Sequence, residues 1–173
     1  KKDISSNENY SDCLDKVDIV IHTAARVHQM NDVAQDPQRE FLETNFLGTL
    51  NLARQAANAG VKRFIFISSI KVNGEKSLPG RPFRFDDPRR AVNPYEISKA
   101  KAEEGLLKIA DETKLEVTII RPPLVYGPDV KANFRTLLKL ASKNFPLPFG
   151  CVKNKRSFVA VDNLINLIIT CMD

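Results

Sequence analysis

The chain has 173 residues, 43% of them hydrophobic and 27% charged, the balance of a single soluble globular fold and not of a disordered chain. No apolar run approaches the ~20 residues needed to span a bilayer, and the opening KKDISSNENYSDCLDK has no apolar stretch of the kind a secretion signal needs. Three scattered cysteines (Cys13, Cys151, Cys171) fit neither a disulfide framework nor a zinc knuckle, so a cytoplasmic, reducing setting and no bound metal are expected. The net charge of +5, from 26 basic and 21 acidic residues, is too mild for a nucleic-acid surface. One tract differs: Lys153, Lys155 and Arg156 stand together without an acid nearby, which suits an anionic ligand.

In chain order, short β-branched runs alternate with helical periods. Val17–His22 (VDIVIH) reads as a strand buried on both faces. Arg39–Ala59 has apolar residues at helical spacing (Phe41, Leu42, Phe46, Leu50, Leu52, Ala56), with Gly60 as its stop. Val61–Ser68 is a second buried strand, followed by a loop rich in Gly, Pro and charge from Lys71 to Asn93. Pro94 opens a helix that runs to about Glu112. Leu115–Arg121 is a third strand, stopped by Pro122 and Pro123. A helix near Ala132–Lys143, a short strand Ser157–Val161 and a helix capped by Asp162 complete the chain. This alternation predicts an α/β fold, a parallel sheet flanked by helices. Ligands of such sheets bind beyond the carboxyl ends of the strands, here His22–His28, Ser68–Gly74 and Arg121–Gly127.

The sharpest chemical signal is Tyr95-Glu96-Ile97-Ser98-Lys99. Residues four apart share a helix face, and an ammonium beside a phenol stabilises the phenolate, so such a pair can move a proton to or from a hydroxyl or carbonyl oxygen. An exposed lysine beside a half-buried tyrosine fits the same spacing. Ser68 and Ser69 end a buried strand, where a hydroxyl can share the substrate oxygen with the tyrosine or simply cap the strand. Asn45, inside an apolar helix, either bridges neighbouring loops with a buried amide or faces solvent. His22 and His28 lack the further ligands of a metal site, and local packing of His22 is expected. Arg26 is expected mainly at the surface.

The stretches DIVIHTAARVH, NFLGTLNLARQAANAGVKRFIFISSIKVNG, NPYEISKAKAE, RPPLVYGP and KRSFVAVDNL, in that order over nearly the whole chain, resemble the extended short-chain dehydrogenase/reductase family of nucleotide-sugar epimerases, dehydratases and reductases. The resemblance implies a Rossmann-type domain binding NAD or NADP, with Ser69, Tyr95 and Lys99 as the catalytic trio. It also implies that Thr23, Ala24, Ala25, Asn45, Ser68, Lys99, Pro122 and Pro123 border the cofactor. Asn133 and Arg156 become candidates for the UDP-sugar substrate; for Arg156 a solvated charge is the equal alternative. Residues 1–128 then belong to the cofactor domain and 129–173 to the beginning of a substrate-binding part, and a homodimer is expected by the same resemblance.

The family's glycine-rich pyrophosphate turn has no counterpart: the seven glycines (48, 60, 74, 80, 105, 127, 150) lack its spacing. The chain therefore reads as a piece of a longer enzyme, inactive alone. The family's 4,6-dehydratases carry an Asp–Glu pair after the strand-end hydroxyl; here Ile70 and Lys71 stand there, which disfavours dehydration. A UDP-hexose or UDP-N-acetylhexosamine 4-epimerase is expected, with a UDP-4-keto-6-deoxy-N-acetylhexosamine reductase of surface-polysaccharide synthesis as the near alternative. A non-catalytic dinucleotide-sensing module on the same fold is the alternative of another class, and the presence of both Tyr95 and Lys99 argues against it. Asn73, where the family often has tyrosine, leaves the sugar open.

Overall fold

The computed structural model describes residues 2–27, 36–128, 130, 132–143, 150–151 and 153–173. Three parallel strands, β1 (Ile19–His22), β2 (Arg63–Ile67) and β3 (Glu116–Ile120), lie in the order β1-β2-β3. In register, His22 pairs with Phe66, and Ile67 with Ile120. The central strand is apolar through its middle because it is covered on both faces: Phe64, Ile65 and Phe66 are all fully buried.

Phe64 and Phe66, two apart and so on one face, pack against Leu52, Ala53 and Ala56 of helix α3 (Thr49–Asn58) and Ala102, Leu106 and Ile109 of helix α4 (Pro94–Glu112). A one-turn helix α1 (Ser11–Leu14) adds Tyr10 and Leu14 to this core. The small residues Ala53, Ala56 and Ala102 let the helices approach the bulky phenylalanines, so one aromatic strand serves both helices.

The helix predicted over Arg39–Ala59 starts earlier and is not uniform. It comprises α2 (Pro37–Phe41), a π-helical stretch Leu42–Gly48, and α3. Asp36 caps the start by accepting from Arg39 N, and Gly60 ends it with φ +82°, while Val61 N reaches back to Ala56 O at 3.0 Å, a left-handed stop that glycine suits. The wider π turn, a feature common at functional sites, is what periodicity alone does not reveal.

Predicted strands survive one or two residues shorter at their ends, except that β1 keeps its carboxyl end at His22; β1 is not buried on both faces as expected, since Ile21 is exposed. The loop from Lys71 begins with a short 3-10 turn, Ile70–Asn73. Beyond β3, Leu124–Tyr126 forms β4, which the sequence pattern does not announce, and it pairs in parallel with β5 (Phe158–Ala160). Between them lies α5 (Ala132–Ala141), and α6 (Val161–Thr170) follows. Asp162 is not the cap expected of it: Ala160 holds that position without a side-chain bond. Asp162 sits instead in the first turn, where its charge favours the helix dipole. Among the described residues no helix is long and apolar enough to cross a membrane.

Candidate active site at the strand ends

The carboxyl ends of β1, β2 and β3 and the first two turns of α4 meet at one place. Past their strands, β2 and β3 remain joined: Ser68 N donates to Ile120 O at 2.8 Å and Ile70 N to Pro122 O at 3.1 Å. This sets Ser69 beside the Pro122–Pro123 turn. Ser69 Oγ accepts from Lys71 N at 3.3 Å, so its side chain caps the 3-10 turn and is half-buried at the rim.

Helix α4 begins with a complete capping box. Asn93 Oδ1 accepts from Glu96 N at 2.9 Å, and the Glu96 carboxylate accepts from Asn93 N and from Val92 N. Pro94 occupies the first turn, where its missing N–H costs nothing. The cap fixes the turn that presents Tyr95, whose ring packs edge-on against the buried Phe41 at 6.2 Å.

Lys99 is almost fully buried. Its Nζ donates to Ile67 O at 2.7 Å and lies 4.3 Å from the centre of the Phe66 ring, a cation held by a carbonyl and an aromatic face. Burial pulls its pKa down to about 8, against the nearby Glu103 carboxylate, which favours the charge. Tyr95 lies above the ordinary phenol range, first because it is buried and then because of Glu96. Lys99 Nζ is bonded to Ile67 O at the end of β2 and not to the Tyr95 hydroxyl, so any effect of its charge on the phenol acts through space.

Asn45 resolves in favour of burial. Its Oδ1 accepts from Arg26 N at 2.7 Å, and its Nδ2 donates to Arg26 O at 3.0 Å and to Ser98 Oγ at 3.0 Å. Ser98 Oγ in turn donates to Tyr95 O at 2.7 Å. The π turn thus delivers an amide that ties the loop after β1 to the helix of Tyr95 and Lys99. That loop carries Thr23 and Ala24, exposed, and Ala25, half-buried, an open backbone ledge beyond β1. Arg26 is less exposed than expected; its guanidinium lies 5.8 Å from the Phe41 ring centre.

His22 packs locally, as expected. It stacks on Phe66 with centroids 5.7 Å apart, and its Nε2 meets Thr49 Oγ1 at 2.9 Å. Thr49 Oγ1 donates to Asn45 O at 2.8 Å, so His22 Nε2–H is the donor to Thr49; burial, then the Lys99 charge, pulls the His22 pKa down to about 4, which keeps the ring neutral near pH 7. Arg156, Lys153 and Lys155 are exposed before β5. Asn133 falls in the first turn of α5 with its side chain outside the described residues, and His28 lies outside them as well.

Sequence reasoning missed the polar cluster behind the site. Glu103, fully buried, receives Arg121 and Arg89, and Arg121 Nη1 continues to Asn73 Oδ1 at 3.2 Å and Phe85 O at 3.0 Å. The departure at Asn73 therefore has a structural role. Its Nδ2 donates to Asp87 O at 3.2 Å and seats the 75–93 segment. The signal lay in the i, i+4 spacing of Lys99 and Glu103.

Parallel strands under helices, with a tyrosine and a buried lysine one turn apart at their carboxyl ends, define a Rossmann-like α/β class. The model of the NAD dependent epimerase/dehydratase family matches residues 1–173, and the chain belongs to that family. It is 49% identical over 172 residues to a UDP-glucose 4-epimerase of Vibrio cholerae, covering 99% of this chain and 52% of that protein. A dTDP-D-glucose 4,6-dehydratase of Mus musculus is 38% identical over 115 residues, 66% of this chain and 31% of the other. Among solved structures, a UDP-glucuronic acid 4-epimerase from Bacillus cereus in complex with UDP-glucuronic acid and NAD superposes with a TM-score of 0.80 at 26% identity, over 99% of this chain and 54% of that one. The chain spans about half the length of these epimerases.

Proposed function

We propose that the whole protein is a nucleotide-sugar epimerase that inverts C4 of a UDP-hexose or UDP-N-acetylhexosamine, using NAD, or NADP, transiently. The observation that carries this reading is Lys99: a buried ammonium held at the end of β2 by Ile67 O and the Phe66 ring face, on the helix that presents Tyr95. The Vibrio cholerae and Bacillus cereus epimerases support the choice of reaction.

The residues present suit the nicotinamide end of a dinucleotide. The Thr23–Ala25 ledge is open, Pro122 and Pro123 form a half-buried turn beside Ser69, and Lys99 has donors to spare. None of the seven glycines has the pyrophosphate-turn spacing, so that end must be held by other parts of the whole protein. A nicotinamide held at the strand ends would supply a reversible hydride acceptor for the sugar carbon. Residues 1–128 then form the cofactor side, and 129–173, with Asn133 and Arg156, begin the UDP-sugar side, where a guanidinium suits diphosphate oxygens.

Tyr95 takes the proton from the C4 hydroxyl as the carbon is oxidised and gives it back when the carbon is reduced from its other face. Ser69 hydrogen-bonds the same oxygen and steadies it as it becomes a carbonyl. Lys99 supplies the positive charge that makes a phenolate attainable, and this matters the more because burial and Glu96 raise the phenol. Elimination of water needs a separate acid and base on the sugar. Ile70 offers none, and Lys71 Nζ lies 3.4 Å from the Glu96 carboxylate, so the dehydratase likeness does not extend to dehydration.

In the whole protein, Tyr95→Phe and Lys99→Met are each expected to lower kcat by about 10²–10⁴-fold with unchanged far-ultraviolet circular dichroism. Full activity in Tyr95→Phe would contradict the assignment.

A further inference from the structure

Helix α4 carries a third ionisable residue on the face that bears Tyr95 and Lys99. Steps of four place Glu103 one turn beyond Lys99, and it is completely buried. Its carboxylate accepts from Arg121 Nε at 2.9 Å, Arg121 Nη2 at 2.6 Å and Arg89 Nε at 2.8 Å, a fork plus a third charge-assisted bond. The Ser68 hydroxyl approaches it and favours its ionised form without reaching hydrogen-bond geometry. Against the cost of burial, these donors hold the carboxyl below its usual range.

The surroundings of Lys99 contain few charges. β1 contributes the neutral His22, β2 the Ile67 carbonyl and the Phe66 ring, and α4 itself Tyr95 and Glu103. Arg121, just past β3, and Arg89 of the 75–93 segment contact Glu103 and oppose part of its field. Lys71 of the 3-10 turn is paired with Glu96. A buried ammonium tends to shed its proton, and Glu103 is the anion that counters this tendency.

We propose that Glu103 is a positioning residue for the catalytic pair: clamped between Arg121 and Arg89, its carboxylate keeps Lys99 an ammonium at the end of β2. The functional reading gives that charge its purpose, since a neutral Lys99 no longer favours the Tyr95 phenolate; the electrostatic coupling itself can be measured without turnover. A purely structural Glu103 would change stability and leave the Lys99 titration where it is.

The test is a 13C NMR titration of the whole protein labelled at lysine Cε, with the Lys99 signal assigned by Lys99→Arg. In Glu103→Gln the Lys99 midpoint is expected to move to lower pH than in the wild type, and Glu103→Asp is expected to restore it toward the wild-type value. If Glu103→Gln does not fold, the same substitution is made in Arg89→Gln, which removes a cation left unpaired; the Lys99 midpoint is expected to lie lower in the double variant than in Arg89→Gln alone. A midpoint unmoved in folded Glu103→Gln, or equal in the double variant and in Arg89→Gln, overturns the proposal. The alkaline limb of kcat is expected to follow the Lys99 midpoint while KM holds. A shifted midpoint in a protein inactive on nucleotide sugars would contradict the proposed function and leave the coupling intact.

Discussion

His22 shows how a single residue links the site to stability. Its folded pKa is about 4, whereas an unfolded histidine titrates near 6.5. Between these values the unfolded chain binds more protons, so stability rises with pH across the window and is lost on acidification from about pH 6.5 down to about pH 4. The difference amounts to roughly 3 kcal/mol at the acid end. In His22→Gln, a neutral side chain that retains a donor for Thr49, urea unfolding is expected to lose much less stability between pH 7 and pH 5 than in the wild type. Equal losses in the two proteins would show that His22 is not the group that titrates.

At the scale of elements, helix ends and one close approach place the site. Asn93 caps α4 immediately before Tyr95, and its Nδ2 also reaches Glu96 Oε1 at 2.6 Å. Asn93→Ala removes the cap and leaves Glu96 short of a donor, at a cost of about 1–2 kcal/mol, read as a lower urea midpoint. Gly48 closes the π turn where the amino-terminal arm crosses it. A Cβ there would stand 2.8 Å from Ile4 Cγ2 and 2.9 Å from Ser5 N, and the second of these is backbone that cannot rotate away. Gly48→Ala is therefore expected to destabilise by about 1–3 kcal/mol and to raise proteolysis within residues 2–10. A Gly48→Ala protein with wild-type stability and protease resistance would show that the arm does not press on the turn.

Across the whole molecule, the elements legible in the sequence were those with a strong period or a punctuating residue. Phe64, Ile65 and Phe66 announce a covered strand, and Pro94 and Gly60 mark helix ends. The π turn escaped because one extra residue per turn leaves the apolar pattern almost unchanged. β4 escaped because three residues between a proline pair and a glycine carry too little pattern. Tyr95 and Lys99 were legible from spacing, whereas the direction of the Lys99 ammonium was not: Ile67 O and the Phe66 ring attract it through contacts between residues more than thirty positions apart. The Glu103–Arg121–Arg89 cluster belongs to the same kind, since its members come from a helix, a strand end and a loop.

The most direct test of C4 epimerisation is to give the whole protein NAD and a UDP-hexose or UDP-N-acetylhexosamine and to follow sugar identity by NMR together with nicotinamide absorbance. Interconversion of the two C4 epimers is expected, with no net change in the reduced cofactor. No interconversion of epimers, together with stoichiometric loss of NADH or NADPH when that reduced cofactor and a UDP-4-keto-6-deoxy-N-acetylhexosamine are supplied instead, would contradict it and make the protein a reductase.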